Sequence, residues 1–340
     1  MPGSDIIRRI FAFRTWLAIA AGVLPACLVI IFGFLVIYAW PAIGYNGLDF
    51  ITKSTWNTGD VYSAPVIQHG VLAPPGAQFN IFFLEGGTIL TVLVAIVIAY
   101  PIGVAAAVFL AEVVPGAIRS FVSFFVELLA AVPSIVFGLW GIAVISAFPD
   151  KGGVTLFQQV CNWLASHPPL AWIPFFSGDP GNGYGLLGAG VVLSFMIVPL
   201  ITSTVRDALI AQPAALREAA VALGARRFET IRKVLLPSVR GVTIGATILA
   251  IGRALGETMA VLMLCGNALG TLPKNIFGSI STMASFIASQ LDSAGADTSG
   301  LVVKSLAEIA IVLGLMSLIV NTSARLLLTL SGAGQMRDRP

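Results

Sequence analysis

The sequence predicts an all-α integral membrane protein with six transmembrane helices. Three observations lead there. Hydrophobic residues make up 57% of the 340 and charged residues only 10%, with a mean hydropathy of +0.94. Soluble domains carry about 25% charged residues, and a water-soluble fold of this size could not cover its surface with so few. Six apolar stretches are each long enough to cross a bilayer, which takes about 20 helical residues. The basic residues also fall unevenly between those stretches.

The expected spans are residues 17–39, 86–111, 120–147, 185–205, 241–265 and 301–326. Arg8-Arg9 faintly resembles a twin-arginine export signal. The apolar run from Leu17 to Tyr38 is longer than a signal-peptide core, however, and five more spans follow, so it reads as an uncleaved first span. Pro25, Pro101, Pro133 and Pro199 lie inside spans, where proline is tolerated if neighbours re-satisfy the freed carbonyls. With the N-terminus inside the cell, fourteen basic residues face inward: Arg8, Arg9, Arg14, Arg119, Arg206, Arg217, Arg226, Arg227, Arg232, Lys233, Arg240, Arg325, Arg337 and Arg339. Only Lys53, Lys151, Lys274 and Lys304 face outward, as the positive-inside rule requires. Residues 1–16 are then a cytoplasmic N-terminus and 40–85 a periplasmic loop. Residues 86–326 form a five-span core with an inner loop at 213–237, and 327–340 a cytoplasmic tail. Both termini are cytoplasmic.

In the outer loops, Trp40, Tyr45, Trp56 and Tyr62 suit an interfacial belt, and 154–165 has the pattern of a short helix on the membrane. The weakly apolar stretch 276–291 is a candidate re-entrant or interfacial helix. Gly183 to Gly188 matches a GxGxxG pattern, but no strand precedes it, so these glycines are read as starting the fourth span. The pairs Gly241/Gly245 and Gly252/Gly256 are read as close helix contacts. Three separated cysteines (Cys27, Cys161, Cys265) indicate neither a disulfide framework nor a metal site. His69 and His167 are isolated loop histidines. No nucleophile–base pair or cofactor motif is present, so the chain reads as no enzyme and calls for no cofactor.

The charged stretch around 213–237 is the chain's most distinctive segment. Pro213 suits a first helical position. Leu216, Ala219, Ala220 and Leu223 recur at helical spacing, and Gly224 can stop the helix by adopting positive φ. A second short helix places Phe228, Ile231 and Leu235 on one side and ends at Pro237. A helix-turn-helix with this many arginines also suits DNA, but the flanks are membrane sequence rather than a third helix. A solvated loop is the plainer alternative. Glu218-Ala219-Ala220, then Gly224 after three residues, then Val234-Leu235-Leu236-Pro237 after nine more, resembles the EAA loop of bacterial ABC importer permeases, with Val234 in place of the usual Ile. The resemblance implies a type I importer permease fold whose elbow docks on a separate ATP-hydrolysing subunit.

Arg253 and Glu257 lie near the middle of the fifth span, where a charge costs about 2.5–3.5 kcal/mol. Their i, i+4 spacing puts both on one face of a helix. They are either an internal ion pair locking two helices or polar points on a substrate path. Glu127 in the third span has Arg206 as its expected partner, and Glu308 pairs by spacing with Lys304. The run from Gly252 to Ala260, with Arg253, Glu257, Thr258 and Met259, resembles phosphate-specific permease subunits of these importers. So do Phe109 to Glu112 and Glu127 to Gly141. Thr-Met-Ala after Gly-Glu favours the PstC type over its sister, the PstA type. That resemblance implies a phosphate path through Arg253, Glu257 and Thr258, and ATPase coupling through Glu218, Ala219, Ala220, Gly224, Leu236 and Pro237. It also implies a PstA-like second permease subunit, a PstB-like ATP-binding dimer, a periplasmic phosphate-binding protein and a lipid setting, with no nucleic acid.

Overall fold

In a computed structural model of the chain, residues 3–145, 159–160, 162–163, 166–167, 174–176 and 183–330 are described. The chain divides into two compact units. One comprises Met1–Gly47, Asn57–Gln78 and Leu291–Val312, the other Leu48–Trp56, Phe79–Gln290 and Leu313–Pro340.

In the first unit, α1 (Gly3–Asn46) is a single 44-residue helix that runs through Pro25 and Pro41. Its stretch Trp16–Asn46 is long and apolar enough to span a membrane, and residues 16–32 of it are all exposed, as suits a helix set in lipid. A hairpin of β1 (Val66–Gln68) and β2 (Val71–Ala73) pairs Val66 with Ala73. His69 and Gly70 make its turn with φ of 49° and 77°, the left-handed pair that matches strand twist. The Tyr45 hydroxyl lies 2.8 Å from both Gln68 Oε1 and Ala77 O. Tyr45 is therefore an internal residue rather than part of a belt, while Trp40 and Tyr62 stay exposed. His69 is not merely solvated: its Nδ1 lies 3.1 Å from Tyr45 O. Glu308, on α11 (Leu301–Leu330), accepts the Asn46 amide at 2.7 Å instead of pairing with Lys304. Asp297 Oδ2 accepts the Val302 N–H at 2.9 Å, filling one of the orphan donors at the start of α11.

In the second unit, α2 (Phe82–Val108) runs on through a wide turn over Phe109–Val113 and packs along α5 (Leu186–Ile210). Small residues allow the approach. A Cβ on Gly190 would come within 2.5 Å of Val94, and one on Gly103 within 3.0 Å of Ile201. Ala95, Ala99, Leu193, Ile197, Ile201 and Leu209 fill the core between them. The start of α5 is held by the loop before α10 (Met283–Ala294). Leu186 N–H donates to Gly278 O at 3.0 Å and Leu187 N–H to Ile276 O at 2.9 Å. The glycines at 183–188 do open this span.

Further expectations change in this unit. The third span is broken: α3 (Gly116–Ala131) and α4 (Ser134–Ile145) meet at 94°. Val132 is extended (ψ 132°), the conformation a following proline favours, and Pro133 supplies no N–H to continue the helix. The fifth is broken too: α8 (Arg240–Leu255) stops and α9 (Met259–Leu264) restarts. Trp56 packs edge-on against Phe79 and Phe286 with ring centres 5.0 and 4.9 Å away, an interior cluster rather than an interfacial position. Of the fifth span's glycines, Gly245 faces open space and makes no helix contact, whereas Gly252 lies against the Asn321 side chain. The stretch 276–291 enters α10, whose start buries Thr282 and Ser285 hydrogen-bonded to each other at 2.8 Å. The helix expected at 154–165 lies largely outside the described residues. Among those residues, α1, α2 with its wide turn, α5 and α11 are each long and apolar enough to span. Two bent pairs, α3 with α4 and α7 (Arg227–Ser238) with α8 at 67°, bring the possible total to six.

Candidate functional site

The elbow is built as its sequence suggests, with small shifts. Pro213 (ψ 138°) caps α6 (Ala214–Ala222) from outside rather than starting it. Gly224 takes φ +83°, Ala225 N–H reaches Ala220 O at 3.0 Å, and Gly224 N–H reaches Val221 O at 2.9 Å. This closes the helix with a left-handed glycine cap. The Glu229 carboxylate accepts the Arg226 N–H at 3.1 Å to open α7. Within α7 a wide turn over Ile231–Leu235 precedes Pro237, whose ring would otherwise meet the carbonyl four residues back. The helix therefore continues to Ser238 and does not end at Pro237.

One guanidinium seats this elbow. Arg217 donates from Nη2 to Glu112 Oε1 at 2.6 Å and to Leu209 O at 2.8 Å, and from Nη1 to Gln212 O at 3.1 Å. Arg227 adds a bond to the Glu112 carbonyl. Glu112 lies in the last turn of the α2 rod and Leu209 in the last turn of α5, so α6 is tied to the ends of both. The sequence marked Phe109 to Glu112 as a motif without giving Glu112 a task. Its signal was a carboxylate at the inner end of a span, opposite an elbow rich in arginine.

The rest of the elbow faces outward. Glu218, Ala219, Gly224 and Pro237 are exposed, Leu236 is half-buried and Ala220 is buried. Of the expected apolar face on α6 only Ala220 is covered, whereas Leu223 is 90% and Phe228 69% exposed. Large apolar side chains held out on a rigid, polar-anchored turn are the mark of a docking surface. The elbow has no third helix and no core of its own, which a DNA-reading unit requires.

Beside the elbow, buried Arg206 on α5 donates to Glu127 Oε1 on α3 at 2.9 Å and to Asp207 Oδ1 at 2.7 Å. Glu127 thus has the partner its sequence position suggested.

The structure separates Arg253 from Glu257. Helix α8 ends at Leu255, Gly256 and Thr258 leave helical order, and the i, i+4 geometry is lost. No hydrogen bond or ion pair joins the two. Glu257 Oε1 instead lies 3.4 Å from the Ala260 N–H at the start of α9, and Thr258 Oγ1 donates to Gly256 O at 3.3 Å. The helix lock therefore falls away. Arg253 is exposed and lines a cavity of about 400 Å³ with Leu200, Leu249, Gly252, Ser317 and Asn321. Asn321 is a polar partner to this site that the sequence reading passed over. It lies one turn of α11 from Ser317 and one from Arg325, a polar stripe in an apolar span. Among the described residues no cluster of His, Cys, Asp and Glu could hold a metal ion.

Comparison with known proteins places these features. Residues 99–334 match the family of binding-protein-dependent transport system inner membrane components. The phosphate transport system permease protein PstC 1 of Mycobacterium tuberculosis is 40% identical over 312 residues, covering 91% of this chain and 90% of the relative. PstC of Pasteurella multocida is 34% identical over 326 residues, covering 94% and 89%. The probable PstC of Methanocaldococcus jannaschii is 31% identical over 294 residues, covering 86% of each. Among solved structures, a chain of a bacterial alginate ABC transporter, in complex with an alginate pentasaccharide-bound periplasmic protein, aligns with a TM-score of 0.56 at 14% identity over 96% of each chain. A second alginate transporter structure aligns with a TM-score of 0.53 at 16% identity, over 93% of this chain and 98% of that one. At those identities the likeness is one of fold.

Proposed function

Because the chain belongs to the binding-protein-dependent transport system inner membrane components, we propose that it is the PstC-type permease subunit of an ATP-driven importer that carries inorganic phosphate from the periplasmic side into the cytoplasm. It is a transport subunit and no enzyme; ATP is hydrolysed in a separate subunit. The observation that carries the reading is the elbow. Its polar anchors grip the ends of two long helices while Glu218, Ala219, Gly224, Leu223 and Phe228 stand exposed. An ion-coupled carrier has no use for such a surface; an ATPase-driven one needs it to pass motion into the membrane. Pro237 is exposed as well, and Ala220 and Leu236 support that contact from behind. The partners are a PstA-like permease subunit, a PstB-like ATPase dimer and a periplasmic phosphate-binding protein. The elbow lies in the cytoplasm with both termini, residues 40–85 lie in the periplasm, and 17–39 and 86–326 hold the six spans.

Phosphate follows from the relatives' names and from Arg253. A mono- or dianion faces a large desolvation cost in an apolar path. A guanidinium in a membrane cavity lowers that cost with two-pronged hydrogen bonds that an ammonium cannot copy. Glu257 and Thr258, at the break after α8, sit next along the same path. The test is phosphate uptake by the whole complex in proteoliposomes with binding protein and ATP. Arg253→Lys should lose most uptake and Arg253→Ala nearly all, with assembly followed by co-purification. An assembled Arg253→Ala complex that transports at the wild-type rate would remove Arg253 from the path.

A further inference from the structure

We propose that Ser317, Asn321 and Arg325 on α11 form a second anion station inward of Arg253, so that the transported oxyanion passes from one guanidinium to another. The inference rests on the phosphate reading above. Two cavities carry it. The first, already described, holds Arg253, Ser317 and Asn321. The second, about 670 Å³, holds Asn321, Thr322 and Arg325. Leu249 and Asn321 line both, so the two adjoin along the seam between α8 and α11. An arginine stands in each, and no carboxylate lines either.

The spacing suits a relay. Residues 317, 321 and 325 share one face of α11, each about 6 Å further along the axis than the last. Arg325 lies just beyond the apolar window Leu301–Ser323, at its inner end in the proposed orientation. The Asn321 amide lies against α8 at Gly252, its Nδ2 and Oδ1 at van der Waals distance, 3.4 Å, from where a Cβ would stand. A polar side chain inside a membrane protein ordinarily finds a partner. Among the described residues, Arg253, Asn321 and Arg325 make no hydrogen bond or ion pair. An oxyanion would satisfy all three. Phosphate oxygens accept from the guanidinium, amide and hydroxyl donors, and the amide oxygen accepts the O–H of the protonated monoanion. One tight site would trap the ion, whereas adjoining weaker sites let it enter and leave.

The experiment compares Asn321→Leu, Asn321→Ser, Arg325→Gln and Arg325→Lys with wild type. The complete complex is reconstituted with binding protein and ATP, and labelled phosphate uptake is read on either side of phosphate's second ionisation. Assembly is measured separately by co-purification. Asn321→Leu and Arg325→Gln should each lower uptake at least about tenfold, the order expected for losing a hydrogen bond to a charged group. Asn321→Ser should keep part of the rate. Arg325→Gln should lose more of the dianion's uptake than of the monoanion's, a charge preference that a merely structural residue would not alter. The proposal is overturned if assembled Asn321→Leu transports at the wild-type rate. It is equally overturned if Arg325→Lys is normal and Arg325→Gln loses the same fraction on both sides of the ionisation, which would make Arg325 a headgroup anchor. Should Asn321→Leu fail to assemble, Asn321→Ser and Arg325→Gln decide by the same readings. A wild-type complex that moves no phosphate fails at the first step; it overturns the underlying reading, and this station with it, before any variant is compared.

Discussion

Arg217 does for the elbow what a bolt does for a bracket, and only an arginine fits. Its three partners lie around a planar fork, and lysine would offer a point charge to one of them. Arg217→Lys should loosen the elbow by about 1–3 kcal/mol, the range for losing charge-assisted bonds to groups that stay partly buried. The check is limited proteolysis of the 213–238 segment in the isolated subunit, where faster cleavage is expected; an unchanged rate would mean the elbow is held by packing alone. How far such pairs could be read in advance depended on depth. Glu127 lies inside a span, where charge demands a partner, and Arg206 was the arginine at hand. Glu112 lies at a span's end, where water is an acceptable partner, so nothing compelled its pairing with a residue 105 positions away. Arg253 and Glu257 were misjoined for another reason. The i, i+4 rule holds only while the helix does, and it ends at Leu255.

Gly224 carries the bend between α6 and α7 through its backbone alone, because nothing lies within 4 Å of where a Cβ would stand. Gly224→Val should therefore strain the left-handed conformation by about 1–2 kcal/mol without a clash. Gly224→Asn should be milder, since asparagine tolerates positive φ. The measurement is retention of ATPase subunits on purification, expected to fall in the order Gly, Asn, Val; equal retention would show that the angle of the bend does not matter. The spans were legible because hydropathy integrates over many residues and tolerates local error. Their breaks were not. Pro25, Pro101 and Pro199 sit in unbroken helices while the chain turns 94° at Pro133. A proline's effect depends on which neighbours re-satisfy the freed carbonyls, and that is tertiary information. The belt residues were misassigned likewise: Trp56 and Tyr45 have the amphipathic character of interfacial residues, but here the polar tip of Tyr45 finds its partners inside the protein.

The orientation rests on charge asymmetry and has a direct test. In a background freed of Cys27, Cys161 and Cys265, a single cysteine replacing exposed Ser63 should react with an impermeant thiol reagent in cells whose outer membrane is permeable. One replacing Ser238 should react only after the inner face is opened. Labelling of Ser238→Cys from outside would reverse the topology. Given that orientation, the seat of the elbow sets how large a stroke the subunit can make. Helix α5 has 25 residues, a rod of about 37 Å at 1.5 Å per residue. Because Arg217 grips its inner end, any tilt imposed there is delivered to the outer end with the rod as lever. A tilt of about 10° moves the far end about 6 Å, slightly more than one helical turn. Opening and closing the path thus asks for no unfolding and no repacked core, only a small rotation of a stiff arm whose handle is already fastened on.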